Sequence, residues 1–303
     1  MDRSRGRRRR SLNVGAVEML DRCSFPASDA PLPMAVSGGA DSVAMALLAR
    51  KAGRDIVVWH VHHGLRAAAD DDAEFVRAFA DGLDATFQLR RVDLAPGGDL
   101  EARARAARYD ALPADVCVGH TADDRAETVL LNLFRGAGLA GVAARMARVA
   151  RPIIRLRRHE TVAVCAAAGI EARDDEMNHD PAYRRVGVRD RLLPAIEAEF
   201  GRDPVPLLNR HADLVADALV VIERDAAALD ATDAAAVSDA PRSVAGEALR
   251  SWMARELGSA DGIDRAAIDR VLLVADGTHI AAELPGGHRV ARTAGVLRIE
   301  RAT

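Results

Sequence analysis

Two stretches of the chain hold residues whose types and spacing could do chemistry. The first is Ser37-Gly38-Gly39-Ala40-Asp41-Ser42. The apolar run PMAV ends just before it, and an apolar helical pattern begins just after. Gly38 and Gly39 leave the backbone free to curl, so that successive N–H groups surround an anion. A helix starting near Asp41 adds its positive end. Ser37 and Ser42 offer hydroxyls to the same oxygens. Asp41 is the odd member, because a carboxylate beside phosphate repels it unless a cation lies between. Magnesium held by Asp41 and by phosphate oxygens resolves that conflict. The structural alternative is a Gly-Gly turn capped by serine.

The second stretch, GHTADDRAETVLLNLFRGAG, runs from Gly119 to Gly138 and begins at another strand end. Its polar residues therefore face the same rim as the glycine loop. Asp124 and Glu127 are three residues apart in a helical pattern, so they share one face of its first turns. Acids on the rim of a phosphate site suggest a metal, a bound ammonium group, or both. Asp123 and Asp124 could also be helix-start acids that only favour the dipole, a reading that leaves His120 and the Arg-Gly-Ala-Gly run unexplained.

The elements that must position these residues alternate. Residues 33–36, 55–63, 86–94 and 115–121 read as strands, and 151–156 (RPIIRL) as a fifth. Residues 41–53, 70–83, 99–112, 123–134 and 159–169 read as the intervening helices. The pattern predicts an α/β fold with a doubly wound, mostly parallel sheet, in which ligands sit at the carboxyl ends of the strands. A smaller, mainly helical domain with a short C-terminal β element follows. In it Leu208, Ala212, Val215, Leu219, Ile222, Ala226 and Leu229 form one helical stripe. The expected division is a basic, flexible arm over 1–32, the nucleotide domain over 33–188, and the helical domain with a β-hairpin over 189–303.

Composition excludes several chemistries. Lys51 is the single lysine and Ala52 follows it, so there is no Walker phosphate loop, and a pyridoxal Schiff base has only that helix-end residue to use. Cys23, Cys117 and Cys165 are far apart, which argues against a disulfide framework or zinc ribbon and for a reducing cytoplasm. His60 and His62 alternate on a strand without further ligands for zinc. No apolar stretch is long enough to span a membrane. The net charge is only −3. Basic residues nonetheless cluster: Arg145, Arg148, Arg151, Arg155, Arg157 and Arg158 in one run, Arg184, Arg185, Arg189 and Arg191 in another. Such runs fit a nucleic-acid partner, although a solvated face is the commoner reading of any one of them.

The loop SGGADS resembles the pyrophosphate loop of the N-type ATP pyrophosphatases, which include GMP synthetase, asparagine synthetase and tRNA thiolases. HHGLR (62–66), EARARAARY (101–109) and the Gly119–Val142 stretch are similar to the motifs of the tRNA(Ile)-lysidine synthases. The likeness is strong over 34–142 and weaker through 178–194. Glu176 and Met177 stand where that family often has Pro-Ser, and Arg185-Val186 where it often has Arg-Asn. The resemblance implies an enzyme that uses ATP to adenylate the C2 oxygen of the wobble cytidine in the CAU anticodon of tRNA(Ile). Free L-lysine then displaces AMP to give lysidine. It further implies that Ser37, Gly38, Gly39, Ala40, Asp41 and Ser42 hold ATP, with Mg2+ on Asp41, and that His120 lies beside the cytosine. Asp124 and Glu127 would grip the lysine ammonium groups and Arg105 its carboxylate or the base. Arg66, Arg135, Arg155, Arg185 and Arg189 are candidate RNA contacts, and a cytoplasmic homodimer is expected. A tRNA thiolase, a glutamine-dependent amide synthetase and a non-catalytic RNA-binding protein are the competing readings. The first normally needs paired or cluster-binding cysteines, and the second an amidotransferase partner.

Overall fold

The computed structural model describes residues 18–62, 64, 69–92, 100–144, 149–173, 183–260 and 262–301, with backbone alone for 100–102, 104 and 105. Its first sheet contains β1 (Leu32–Ala35), β2 (Ile56–His62), β3 (Thr86–Arg91) and β4 (Cys117–Val118), all parallel, in the order β3-β2-β1-β4. The chain thus walks outward from β1 to β3 and then returns to β1's other side as β4. That reversal creates a crevice between the carboxyl ends of β1 and β4, where this class of sheet places its ligands.

The connecting helices are α1 (Ala40–Lys51), α2 (Ala69–Asp81), α3 (Leu100–Asp110) and α4 (Ala122–Phe134). Strand alternation sends Ile56 and Val58 into one core with Met34, Val43, Met45 and Val76. Trp59 and Val61, on the opposite face, pack with Leu112, Val116, Val118 and Tyr109. Both faces of the sheet are therefore covered, which fixes its position and the direction of its strand ends.

Residues 151–156 do not form the expected fifth strand. Pairing there stops at a single bridge, in which Val118 N–H donates to Ala150 O at 2.9 Å and Ala150 N–H to Val116 O at 3.2 Å. Pro152 has no N–H with which to continue a ladder. The chain turns instead, through Ile154 N–H to Arg151 O and Leu156 N–H to Ile153 O, and plugs Ile153 and Leu156 into the core. Leu156 O then accepts from Ala122 N–H at 2.8 Å, which ties this turn to the start of α4.

A short helix, α5 (Leu139–Val142), follows α4 in the chain, and α6 (Arg158–Ala167) follows the turn; α6 is closed by Gly169 at φ +71°. Next come α7 (Arg184–Gly187), a π-helical turn (Val188–Leu192), α8 (Leu193–Phe200) and α9 (Pro204–Ala228). Val188, Leu193 and Val205 pack against Ala122, Ala126 and Leu130 of α4. Along α9, Ala212, Leu219 and Ala226 of the expected stripe are buried.

One compact unit comprises the residues through Arg135 together with Ala144–Arg210; Gly136–Ala143 and His211 onward form the other. The second contains α10 (Ala234–Asp239), α11 (Arg242–Leu257), α12 (Arg265–Ala275) and an antiparallel meander of β5 (Ala281–Leu284), β6 (His288–Thr293) and β7 (Val296–Arg301). Leu249, Met253, Val271, Val290 and Leu297 form its core. No described helix is long and apolar enough to cross a membrane.

Candidate active site

The loop after β1 is shaped by its own serines. Ser42 Oγ donates to Gly39 O at 2.9 Å and accepts from Ser37 N–H at 3.1 Å. Ser37 Oγ lies 3.2 Å from Ser42 Oγ, and Gly39 N–H reaches it at 3.4 Å. The hydrogen of Ser42 is thus committed to the curl of the loop, and Ser37 is the serine exposed toward solvent. Gly38 sits at φ +100°, a conformation that favours glycine. Gly39 gives α1 no side-chain cap, so the first N–H groups of that helix are left for an anion. Below the loop, buried His60 donates from Nδ1 to Val36 O at 2.8 Å, and burial holds its imidazole below the usual range.

The helix after β4 starts differently. Thr121 caps α4 in a box: its backbone N–H and its hydroxyl both donate to Asp124 Oδ2, at 2.8 and 3.0 Å, while its Oγ1 accepts from Asp124 N–H. That arrangement fixes the carboxylate and turns Oδ1 outward, where Arg158 Nη2 (3.0 Å) and Arg185 Nη2 (3.3 Å) meet it. Glu127, one turn on, is 1% exposed. Arg158 Nη1 donates to its Oε1 at 3.1 Å and Arg185 Nε to its Oε2 at 2.6 Å, with Arg189 Nε 3.9 Å away. A carboxylate buried this deeply requires such partners.

Arg158 also joins the two motifs, because its Nε lies 3.6 Å from Asp41 Oδ2. The other oxygen of Asp41 hydrogen-bonds Thr161 Oγ1, which in turn lies 2.7 Å from Arg158 O. Thr161 donates to the Asp41 carboxylate, a contact that favours its charged form. Burial pushes the Asp41 carboxyl up to about 6, with Asp124 adding to the rise and Thr161 and Arg158 opposing it. Asp124 goes the other way. Burial works against its charge, yet Arg185 and Arg158 together hold it below the ordinary carboxylate range.

Asp123 plays a structural part. It takes Arg157 through Nε and Nη2 and the Arg158 backbone N–H at 2.8 Å. Arg157 continues to Asp203. At the end of β4, Arg151 Nε donates to His120 Nδ1 at 3.0 Å, which leaves the His120 proton on Nε2. Gly119 is required by close approach. A Cβ there would lie 2.8 Å from Ser42 Cα and 2.9 Å from Asp41 O, inside the first turn of α1.

The structure therefore brings Ser37–Ser42, His120, Asp124 and Glu127 to one crevice. Arg185 and Arg189, expected on RNA, contact Glu127. Arg135 and Arg155 are exposed. Arg66 lies outside the described residues, as does the side chain of Arg105. Sequence reading assigned Gly119, Thr121, Thr161 and Arg173 no individual role, and it offered Arg151 and Arg158 only as members of a basic run. Only Thr121 left a local signal, an Asp three residues on in a capping-box pattern. Among the described residues no group of three or more His, Cys, Asp and Glu could hold a metal. Magnesium is commonly bound by one or two carboxylates together with phosphate oxygens, and Asp41 is the acid of the loop.

Residues 16–196 match the model of the PP-loop domain. A tRNA(Ile)-lysidine synthase of Salinispora tropica is 37% identical over 95% of this chain and 94% of its own length. One from Bordetella pertussis is 36% identical over 75% of this chain and 81% of its own. The chain belongs to the tRNA(Ile)-lysidine synthase family. The stretch matched to the PP-loop domain contains the glycine loop and the uncapped start of α1. The fold is shared more widely. The U34-tRNA thiolase NcsA from Methanococcus maripaludis, solved with its 4Fe-4S cluster, superposes with a TM-score of 0.53 at 14% identity, over 68% of this chain and 78% of that one.

Proposed function

We infer that the chain ligates free lysine to C2 of the wobble cytidine in the CAU anticodon of tRNA(Ile), at the expense of ATP. The observation that carries this reading is the meeting of Asp124 and Glu127 with Asp41 on the single guanidinium of Arg158. It supports a reading in which the glycine loop receives the phosphates and the neighbouring carboxylates receive a cationic amine.

The reaction divides between them. The open start of α1 and the curled N–H groups hold the triphosphate with its α-phosphorus toward β4. The cytidine C2 oxygen attacks that phosphorus, an O–P bond forms, and pyrophosphate leaves. The lysine ammonium gives up a proton to water, the neutral amine attacks C2, AMP departs with the oxygen, and the new nitrogen releases its surplus proton to solvent. A magnesium ion bound to the phosphates and to Asp41 would supply the positive charge that lets a carboxylate sit beside them. Asp124 stays ionised and so binds the ammonium without retaining its proton. Its partners change on binding: the ammonium takes over hydrogen bonds now made by Arg158 and Arg185, one cation for another, so the buried carboxylates are never left bare. His120, held by Arg151 at its Nδ1, stands beside the base in this reading. Arg135 and Arg155 remain available to tRNA phosphates. The three cysteines are free, and burial raises each thiol to about 11, a state that suits a reducing cytoplasm and not thiolate chemistry.

Incubation with ATP, magnesium, labelled lysine and tRNA tests the reading. Label should enter tRNA(Ile) bearing CAU and not tRNA(Met). Nucleotide binding with no label in either RNA would reject it.

A further inference from the structure

A triphosphate is highly anionic, yet the glycine loop contains no lysine; the chain's one lysine, Lys51, ends α1 at the far side of that helix. Helix-start N–H groups supply only partial charges. The nearby guanidiniums on the β4 side are engaged: Arg158 and Arg185 by Asp124 and Glu127, Arg157 by Asp123 and Asp203, Arg151 by His120.

Arg173 is different. It lies outside every motif of the sequence, and its backbone N–H donates to Gly38 O at 3.0 Å, fastening it to the loop. Its side chain runs over Gly38, where a Cβ would meet Arg173 Cγ and Phe75 Cδ1, each at 3.5 Å. The guanidinium then stacks on Phe75, 5.2 Å from the ring centroid. Among the described residues no carboxylate pairs with it, and the residue is exposed. Stacking holds the plane without using any N–H donor, so the fork can present its N–H groups to an oxyanion.

Its side of the loop identifies which oxyanion. Phe75 belongs to α2, which follows β2, and β2 flanks β1 opposite β4. The reacting α-phosphorus must face the β4 side, where His120, Asp124 and Glu127 stand. We propose that Arg173, stacked on Phe75 over Gly38, is the arginine that grips the β- and γ-phosphates of ATP and holds the pyrophosphate they become. This rests on the glycine loop being the ATP site, but not on the identity of the acceptor.

Calorimetry with inorganic pyrophosphate and, separately, with AMP tests it without tRNA or lysine. Arg173→Gln should weaken pyrophosphate about tenfold, the loss of a charge-assisted pair, with AMP affinity unchanged within about twofold. Arg173→Lys should recover part of the loss, and Phe75→Leu should reproduce a smaller part of it with the arginine present. Unchanged pyrophosphate affinity in Arg173→Gln would overturn the proposal. So would a parallel fall for both ligands, which marks a merely structural role, or a wild-type protein that binds no pyrophosphate. A wild-type protein that binds pyrophosphate through Arg173 yet transfers no lysine would sink the ligase reading and leave this one standing.

Discussion

Two helices begin at the same crevice, and they begin in opposite ways. α1 starts on Gly39 with no side-chain cap, which leaves its first N–H groups open. α4 starts on Thr121 with a complete capping box that spends its donors on Asp124. The first helix start leaves its partial positive charge open to an anion. The second converts the same dipole into a mount for a carboxylate, and that carboxylate with Glu127 draws positive charge. An adenylating amine ligase needs both kinds of ground within reach of one base. Arg158, touching Asp41 on one side and Asp124 and Glu127 on the other, marks where they join.

The contrast breaks most severely at Glu127. Glu127→Gln leaves Arg158 and Arg185 short of a charge partner. Because both arginines are partly exposed, the cost should be about 2–3 kcal/mol, below that of a fully buried pair. Urea unfolding measures it, and lysine transfer should fall at least about a hundredfold. At the other helix, Gly119→Ala drives a methyl group into the backbone of Asp41 and Ser42. It should cost about 2 kcal/mol and weaken ATP binding, read from thermal melts with and without nucleotide.

Asp41→Asn sharpens the comparison through pH. The folded pKa of Asp41, about 6, lies above its unfolded value near 3.8. Its contribution to stability is therefore full below pH 4 and lost as pH rises through about 6. At pH 8, without nucleotide, the asparagine variant should be about 1–2 kcal/mol more stable than the parent and inactive. A variant less stable than the parent would contradict this. Thr121→Ala is the mildest change. Loss of the cap should cost ~1 kcal/mol. With Asp124 released, the lysine KM should rise several-fold while that for ATP holds, and Thr121→Ser should restore both.

The sequence showed most of this architecture because its determinants are local. The glycine loop lies between an apolar strand and an apolar helix, and the three-residue spacing of Asp124 and Glu127 puts them on one face before any partner is known. RPIIRL was misread because its apolar residues are buried as a strand's would be, and only Pro152 and the turn bonds tell the difference. The partners were the illegible part. Arg158 and Arg185 sit in basic runs that fit a phosphate backbone equally well, and nothing local shows that they fold back onto acids far earlier in the chain. Gly119 was hidden for a related reason, since its need arises from α1, another segment altogether. Asp41, read as a metal ligand, carries in addition a raised pKa that burial and the nearby Asp124 produce against the opposing Thr161 and Arg158.

The division of labour between the two helix starts can be separated in one protein. With Glu127→Gln kept at a temperature where circular dichroism shows it folded, tRNA-dependent exchange of labelled pyrophosphate into ATP is measured without lysine, alongside lysine incorporation. Persistence of exchange with loss of incorporation is the predicted result, because the phosphate loop still activates the base while the amine has lost its seat. Exchange and incorporation lost together, or both retained, would contradict it.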